Sequence, residues 1–224
     1  MNDFTLKSYE KYLEYIKDYY KNTILTFDEY FSCIKPPSRF CVLRHDVDRR
    51  PENALQMAIL ENKHQISATY YFRTKKHVMK KQVISQIYNL GHEIGFHYEC
   101  LSESKGDMQE ALKNFENNLI KIRRIAPVNT ISMHGRPFSR FDNRDMWRDK
   151  YNHKLLIEKF GIKGEIYLDI DYTDIAYISD TGRNWLTDVS NFRDHVVSDI
   201  RLKLKDQKDL IKYLHNPHPK LVFL

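Results

Sequence analysis

The chain has 224 residues, enough for one large domain or two small ones with a complete hydrophobic core. With 42% hydrophobic and 29% charged residues it has the composition of a soluble globular protein, and no apolar run approaches the ~20 residues of a membrane span. The formal net charge of +6 comes from lysines and arginines spread along the whole chain, whereas a nucleic-acid groove clusters basic residues with aromatic ones. Nucleic-acid binding and a membrane span are therefore not expected.

The cysteines and the N-terminal segment allow a prediction of the cellular compartment. The three cysteines, Cys33, Cys41 and Cys100, are odd in number and form no Cys-x-x-Cys pair, which predicts reduced thiols. Cys41 lies within an apolar run and is expected in the core. Residues 1–20 carry charges throughout and lack the apolar segment of a cleavable signal. A cytoplasmic location follows as the expectation.

The predicted elements begin with a helical lead-in. Apolar residues at helical spacing predict an amphipathic helix over 5–20, and a short helix is expected over 26–33 before Pro36 and Pro37. We expect residues 1–38 to form an N-terminal helical extension packed on the main domain, residues 39–224. In that domain, strands are predicted over 40–48, 68–73, 93–99, 130–134, 164–170, 175–179 and 220–224. Helices are predicted over 51–65, 80–90, 107–125, 154–160 and 207–214.

This alternation predicts an α/β fold with a parallel sheet, either open or closed into a barrel. No GxGxxG or Walker sequence follows any predicted strand, which argues against an open nucleotide-binding sheet. We therefore expect a distorted (β/α) barrel of about seven parallel strands.

Polar residues stand at the predicted C-terminal ends of the strands, where barrel enzymes gather their chemistry. They are Asp46, Asp48, Arg73, His97, Glu99, His134, Arg136, Asp169, Asp171 and Asp180. A structural protein has no need of a charged residue at every strand end. The pattern therefore predicts a catalytic or binding site at this edge.

The segment "RHDVD" (44–48) raises the question of what separates its two carboxylates. Residues two apart on a strand share a face, and adjacent carboxylates raise each other's pKa unless a cation lies between them. One carboxylate and two imidazoles would suit a zinc-type site with an open position for water, the second carboxylate acting as base. The alternative is that Asp46 and Asp48 cap the next helix and pair with Arg44, Arg49 or Arg50.

Three motifs, "RHDVD", "GHEIGFH" (91–97) and "GRPF" (135–138), resemble those of the polysaccharide deacetylase superfamily, the NodB-homology or carbohydrate esterase family 4 group. The resemblance implies a distorted barrel of parallel strands that removes N-acetyl groups from sugars with a bound divalent metal. It makes Asp46 the base, Asp48 and His97 metal ligands, and Arg136 the residue that orients the catalytic Asp or the substrate. We expect a divergent member.

The chain departs from the family pattern in three ways. A valine separates the two carboxylates, which are usually adjacent. The second metal histidine of the family lies four residues after the first, where this chain has Leu101. The late Leu-x-His motif that supplies the general acid has no match, since the chain stops at "KLVFL". Either the protein is truncated before that histidine or it lacks this acid.

Other positions are assigned from their place at the strand ends or, for Asp180 and Trp185, from the same resemblance. His134 is our first choice for the missing ligand and Glu99 the second, while His92 should lie at the far end of the barrel. Asp180 is expected to support Arg136. Trp185 either lines the sugar pocket or belongs to the core. Arg73 and Glu99 are assigned to substrate binding.

The leading functional hypothesis is a metal-dependent N-deacetylase of an amino sugar or polysaccharide. The metal would be one divalent ion, zinc first, with cobalt, nickel or iron as alternatives. The competing hypotheses are an inactive barrel that binds a glycan or a biosynthetic partner, and a hydrolase of another amide or C–N bond. The sequence leaves the sugar and the oligomeric state open.

Overall fold

The computed structural model describes residues 4–135, 139–180, 185 and 196–224. The strands are β1 (Ile24–Leu25), β2 (Phe40–Val47), β3 (Thr69–Phe72), β4 (Glu93–Tyr98), β5 (Thr130–Met133), β6 (Gly164–Glu165), β7 (Ala176–Ile178) and β8 (Lys220–Phe223). The helices are α1 (Leu6–Tyr20), α2 (Phe27–Ser32), α3 (Pro51–Lys63), α4 (Lys81–Asn89), α5 (Cys100–Glu103), α6 (Met108–Arg123), α7 (Asp145–Arg148), α8 (Lys150–Glu158) and α9 (Gln207–Leu214).

Seven strands form one curved sheet in the order β6-β5-β4-β3-β2-β8-β7, and β1 pairs with β2 beside this path. Every pairing is parallel. The seven strands curl through 208° into a half-barrel with helices around it. The predicted distorted barrel of about seven parallel strands is thus confirmed, and the C-terminal ends of all these strands lie along one edge.

Strand β2 shows how the sheet separates two apolar layers. Phe40 and Val42 belong to one buried cluster inside the half-barrel, together with Tyr71. Cys41 and Leu43, the alternate residues, belong to the larger cluster beneath the helices. Because side chains alternate along a strand, the residues of β2 that follow Leu43 also point in turn into the half-barrel and toward the helices.

Local signals in the sequence explain where helices begin. Thr26 and Glu29 form a capping box at the start of α2. The Asp107 side chain accepts the backbone N–H of Glu110 at the start of α6. Pro51 occupies the first turn of α3, where no N–H is needed. These starts agree with the predicted positions to within a residue.

Helix α1 and strand β1 both lie within the predicted extension. Tyr12, Leu13 and Ile16 of α1 are buried in the same cluster as Leu43 of the barrel. The division at residue 38 stays a prediction. Across the described residues, no helix combines the length and apolarity that crossing a membrane requires.

The structure corrects one predicted strand and adds short elements. The strand predicted over 164–170 ends after Glu165, because the carboxylate of Glu165 accepts the N–H groups of Tyr167 and Leu168 in a turn. The Asp169 carboxylate closes the same turn by accepting the Glu165 N–H at 2.6 Å. Strand β1 and helices α5 and α7 were not predicted, since each has only two to four residues.

Candidate metal centre and active site

The site is built from the ends of four neighbouring strands. Asp46 and Asp48 lie at the end of β2, His97 near the end of β4, and His134 directly after β5. Strand β3, between β2 and β4, leads to Arg73. Since these strands are parallel neighbours, their polar ends meet at one edge of the half-barrel, as predicted.

Asp48, His97 and His134 form a group that could hold a metal ion, with one ligand atom from each lying within 4.8 Å of the others. The Asp48 Oδ1 atom lies 3.7 Å from His97 Nε2 and 3.4 Å from His134 Nε2. The two imidazole rings are perpendicular, with centroids 5.0 Å apart. The sequence predicted this set of three through the family motif and the strand-end position of His134.

The orientation of His97 is set by the neighbouring strand. Its Nδ1 atom lies 3.0 Å from the backbone carbonyl oxygen of Ser132 on β5. A proton on Nδ1 donated to that carbonyl leaves the lone pair of Nε2 facing Asp48 and His134. His97 therefore presents a ligand atom to the group without rearrangement.

Asp46 is held by an arginine from its own strand. Arg44 donates from Nε to Asp46 Oδ1 at 3.0 Å and from Nη2 to Oδ2, a two-point contact. The Asp46 Oδ2 atom also lies 3.5 Å from His97 Nε2. Of the alternative that these carboxylates only cap the next helix and pair with arginines, the Arg44–Asp46 pair is present. The capping part is wrong, because the N-cap position of α3, Arg50, has no side-chain cap hydrogen bond.

Arg44 itself is fully buried inside the half-barrel. Its guanidinium donates to the hydroxyl oxygens of Tyr167, Tyr177 and Ser132 at 2.7 to 3.1 Å. It also lies over the Tyr167 ring, 4.9 Å from the centroid. Sequence reasoning missed this role; the signal was the two-residue spacing that puts Arg44 and Asp46 on one face of β2.

A second arginine–carboxylate pair lies on the other side of the group. Arg73 donates from Nε and Nη2 to Glu99 Oε1 at 2.9 and 2.5 Å. The other oxygen of Glu99, Oε2, lies 3.5 Å from His134 Nδ1. Arg73 and Glu99, both assigned from the sequence to substrate binding, therefore bind each other beside a candidate ligand.

The two histidines differ in their electrostatics. Burial lowers the pKa of His97, in spite of the nearby Asp46 and Asp48. Burial also acts to lower the pKa of His134, but Asp48 and Glu99 outweigh it and raise that pKa to about 9. The pKa of Asp48 is lowered because His134 and His97 overcome the effect of its burial.

Asp48 differs from the other two carboxylates of the site in how its charge is balanced. Arg44 neutralises Asp46 and Arg73 neutralises Glu99. Within the described ranges, Asp48 has no lysine or arginine within 4.0 Å, and its buried Oδ1 atom has no hydrogen-bond donor. A carboxylate oxygen without a donor, faced by two imidazoles, fits a divalent cation by the chemistry of its donor set.

Space for a ligand opens beside His134. A cavity of about 170 Å³ is lined by His134 together with Ser139, Arg140 and Arg144. Asn143 donates from Nδ2 to the His134 carbonyl oxygen at 2.8 Å and so holds the loop that bounds this cavity.

Three other positions that the sequence singled out interact with residues outside this group, and a fourth is not described. Arg136 falls outside the described residues. Asp180 is exposed, and its charge acts on the Tyr9 hydroxyl, whose pKa is raised by burial, then by Glu61 and, more weakly, by Asp180. Trp185 is buried and stacks on Phe4 with ring centroids 4.9 Å apart. His92 is buried beneath the helices, with Nε2 2.9 Å from the Ala58 carbonyl oxygen.

Comparisons with known proteins show likeness in fold and not in sequence. No family model matches the chain, and no curated protein matches it. A carbohydrate esterase family 4 (CE4) esterase from Streptococcus mutans is 12% identical with a TM-score of 0.52, over 92% of this chain and 82% of that one. Two structures of the peptidoglycan deacetylase PdaC from Bacillus subtilis are 14% and 16% identical, with TM-scores of 0.45 and 0.46, over 85% of this chain and 90% of that one. The resemblance read from the motifs is thus confirmed for the fold, a half-barrel similar to that of the Streptococcus mutans CE4 esterase.

Proposed function

We propose that this protein is a metal-dependent hydrolase that removes an N-acetyl group from an amino sugar or a polysaccharide. The observation that carries the proposal is the contrast between the two carboxylates of "RHDVD". Asp46 is neutralised by Arg44, whereas the Oδ1 atom of the half-exposed Asp48 is buried, lacks a donor among the described residues and faces two imidazole nitrogens. This contrast supports the proposal that Asp46 acts as the base and Asp48 as a metal ligand.

Asp48, His97 and His134 would hold the cation, with zinc as the first candidate because one carboxylate and two imidazoles suit it. A bound divalent cation of this kind polarises a carbonyl group and lowers the pKa of a water molecule from that of bulk water to about 7. The ligand set leaves room for further ligands, since three protein groups converge in the described part of the chain.

Asp46 accepts the proton of the attacking water. Its Oδ2 atom is 3.5 Å from His97 Nε2, so the carboxylate lies at the border of the ligand set. The two-point contact with Arg44 fixes the orientation of the carboxylate. The water oxygen bonds to the acetamide carbonyl carbon as Asp46 accepts a proton, and the C–N bond then breaks while the leaving nitrogen takes up one proton, which gives acetate and a free amine.

The carbohydrate substrate is proposed from the fold. The Streptococcus mutans protein that shares this half-barrel is a CE4 esterase, and the cavity beside His134 provides room for a substrate group next to the ligands. Fold likeness alone does not fix a substrate. The experiment therefore has to separate acetylated sugars from other amides.

The test measures metal content by mass spectrometry and acetate release from N-acetylated sugars, on protein purified without a histidine tag. We expect near-stoichiometric metal in the parent, and loss of both metal and acetate release in His97→Ala, His134→Ala and Asp48→Asn. The matched control is His77→Ala, since His77 is an exposed histidine after β3 and should keep parental metal and activity.

Other outcomes select among the competing hypotheses. A parent that binds no zinc, cobalt or nickel after reconstitution would overturn the proposal and favour a glycan-binding barrel without turnover. A parent that binds metal and releases acetate only from small acetamides would exclude the sugar substrate and favour hydrolysis of another amide bond.

A further inference from the structure

The two nitrogens of His134 face different groups. Nε2 lies 3.4 Å from Asp48 Oδ1, on the side of the candidate metal centre. Nδ1 is buried and has no hydrogen-bond partner among the described residues, with Glu99 Oε2 3.5 Å away. His97 differs, since a backbone carbonyl oxygen already lies 3.0 Å from its Nδ1. His134 therefore lacks the main-chain contact that fixes the other histidine.

Glu99 is held in place from its opposite side. Its Oε1 atom accepts two N–H groups of Arg73, at 2.9 and 2.5 Å, and Lys75 Nζ lies 3.5 Å from the same oxygen. The Glu99 side chain is only 6% exposed, so water reaches little of it. With Oε1 occupied by cations, Oε2 is the oxygen left to face His134.

An imidazole that binds a cation through Nε2 must carry its proton on Nδ1, and that proton needs an acceptor when the ring is buried. Glu99 Oε2 is the acceptor that the described residues place there. Hydrogen bonds of this kind fix both the tautomer and the ring orientation of a metal-binding histidine. A shift of a few tenths of an ångström would bring 3.5 Å within ordinary hydrogen-bond length.

We propose that Glu99, locked by Arg73, is a positioning residue that fixes His134 as a metal ligand without binding the metal itself. The inference rests on the proposed metal centre and adds to it a second pair of residues. It also gives the Arg73–Glu99 pair a role other than contact with substrate.

The test is the affinity for zinc and cobalt, measured by competition with a chelator, together with the visible spectrum of the cobalt-saturated protein. We expect Glu99→Ala to bind both metals roughly 10- to 100-fold more weakly than the parent, with the parental cobalt spectrum at saturation. Glu99→Gln should recover part of the loss, because the amide oxygen can accept the same proton. The matched control is Glu103→Ala, which removes the carboxylate paired with Lys75 on the same rim and should leave the affinity unchanged.

The remaining outcomes overturn the inference in distinguishable ways. Parental affinity in a folded Glu99→Ala would show that Glu99 does not position His134, while the metal centre itself would stand. A cobalt spectrum of different coordination number in Glu99→Gln would show that Glu99 is a direct ligand. A parent without metal would remove the proposed function and this inference together.

Discussion

The two faces of strand β2 carry buried polar clusters that differ in how completely their atoms are paired. On the helix side, Glu61 of α3 is fully buried, and we call the group around it the outer cluster: Glu61, Tyr9, His45 and Tyr70. Tyr9 and His45 contact Oε1 of Glu61, and the Tyr70 hydroxyl donates to Oε2 at 2.7 Å. Both carboxylate oxygens have partners.

On the barrel side, the inner cluster consists of Asp46, Asp48, His97 and His134. Asp46 is paired as fully as Glu61 is, by Arg44. Asp48 Oδ1 and His134 Nδ1 are buried and, in the described part of the chain, lack hydrogen-bond partners. Buried groups without partners cost free energy, so a folded protein keeps them where something else completes the site. Incomplete pairing of these two atoms thus separates the inner cluster from the outer one.

The largest expected effect comes from breaking the outer cluster. Glu61→Ala leaves His45 and two tyrosine hydroxyls buried without their acceptor, so we expect the free energy of unfolding to fall by about 3 to 5 kcal/mol. Urea unfolding measures this loss. Metal affinity should stay at the parental value, since Glu61 lies on the opposite face of β2.

The control is Glu10→Ala, because the Glu10 carboxylate pairs with the exposed Lys63 at 3.0 Å and its loss should change the free energy of unfolding little. If Glu61→Ala proved as stable as Glu10→Ala, the outer cluster would not be a stabilising group. A loss of metal affinity in a folded Glu61→Ala would instead show that the two clusters act as one.

The fold was largely predictable because its signals are local. Strand–helix alternation, the capping residues Thr26 and Asp107, and apolar periodicity each depend on a few consecutive residues. What could not be predicted depends on distant contacts. Strand β1 exists because it pairs with β2, and β6 is short because the Glu165 side chain forms a turn with its own backbone.

The site was predictable only as far as strand ends and motif spacing allow. His134 could be proposed because it follows a strand next to that of His97. The partners of these residues were not predictable, because burial decides which arginine meets which carboxylate. Arg73 and Glu99 were assigned to substrate separately, whereas the fold joins them in one ion pair. Arg44 was considered only as one of three arginines that could pair with the carboxylates of "RHDVD", and the fold turns it inward onto Asp46.

A smaller effect should follow from weakening the contact between Arg44 and Asp46 of the inner cluster. Arg44→Lys keeps the charge but loses the two-point contact that orients Asp46. A charge-assisted hydrogen bond contributes about 1.5 to 3 kcal/mol, so we expect kcat/KM for acetate release to fall roughly 10- to 100-fold. Metal content should remain that of the parent.

The matched variant is Arg39→Lys, at an exposed arginine just before β2, which should keep parental kcat/KM. Unchanged turnover in Arg44→Lys would mean that the orientation of Asp46 does not limit the reaction. Loss of metal together with turnover would mean that Arg44 supports the ligands as well as the base.

The smallest effect concerns a buried carboxylate whose hydrogen-bond partners among the described residues are all neutral. Glu93, at the start of β4, accepts the Thr69 hydroxyl at 2.6 Å and the Asp28 N–H at 2.9 Å, with a further contact from Thr130. Burial raises its pKa to about 7, and these neutral donors offset it only in part. The pKa of Glu61 is lowered instead, since His45 outweighs the effect of its burial.

The raised pKa fixes the sign of the pH dependence. Between pH 4.5, the ordinary carboxyl value, and pH 7, folded Glu93 binds more protons than the unfolded chain, so stability falls as pH rises. Glu93→Gln should remove a decrease of about 2 kcal/mol between pH 5 and pH 7, seen as a flatter dependence of urea unfolding on pH. Parallel pH curves for Glu93→Gln and the parent would contradict this prediction. They would show that hydrogen bonds from neutral donors stabilise the charged form of a buried carboxylate as well as a histidine does.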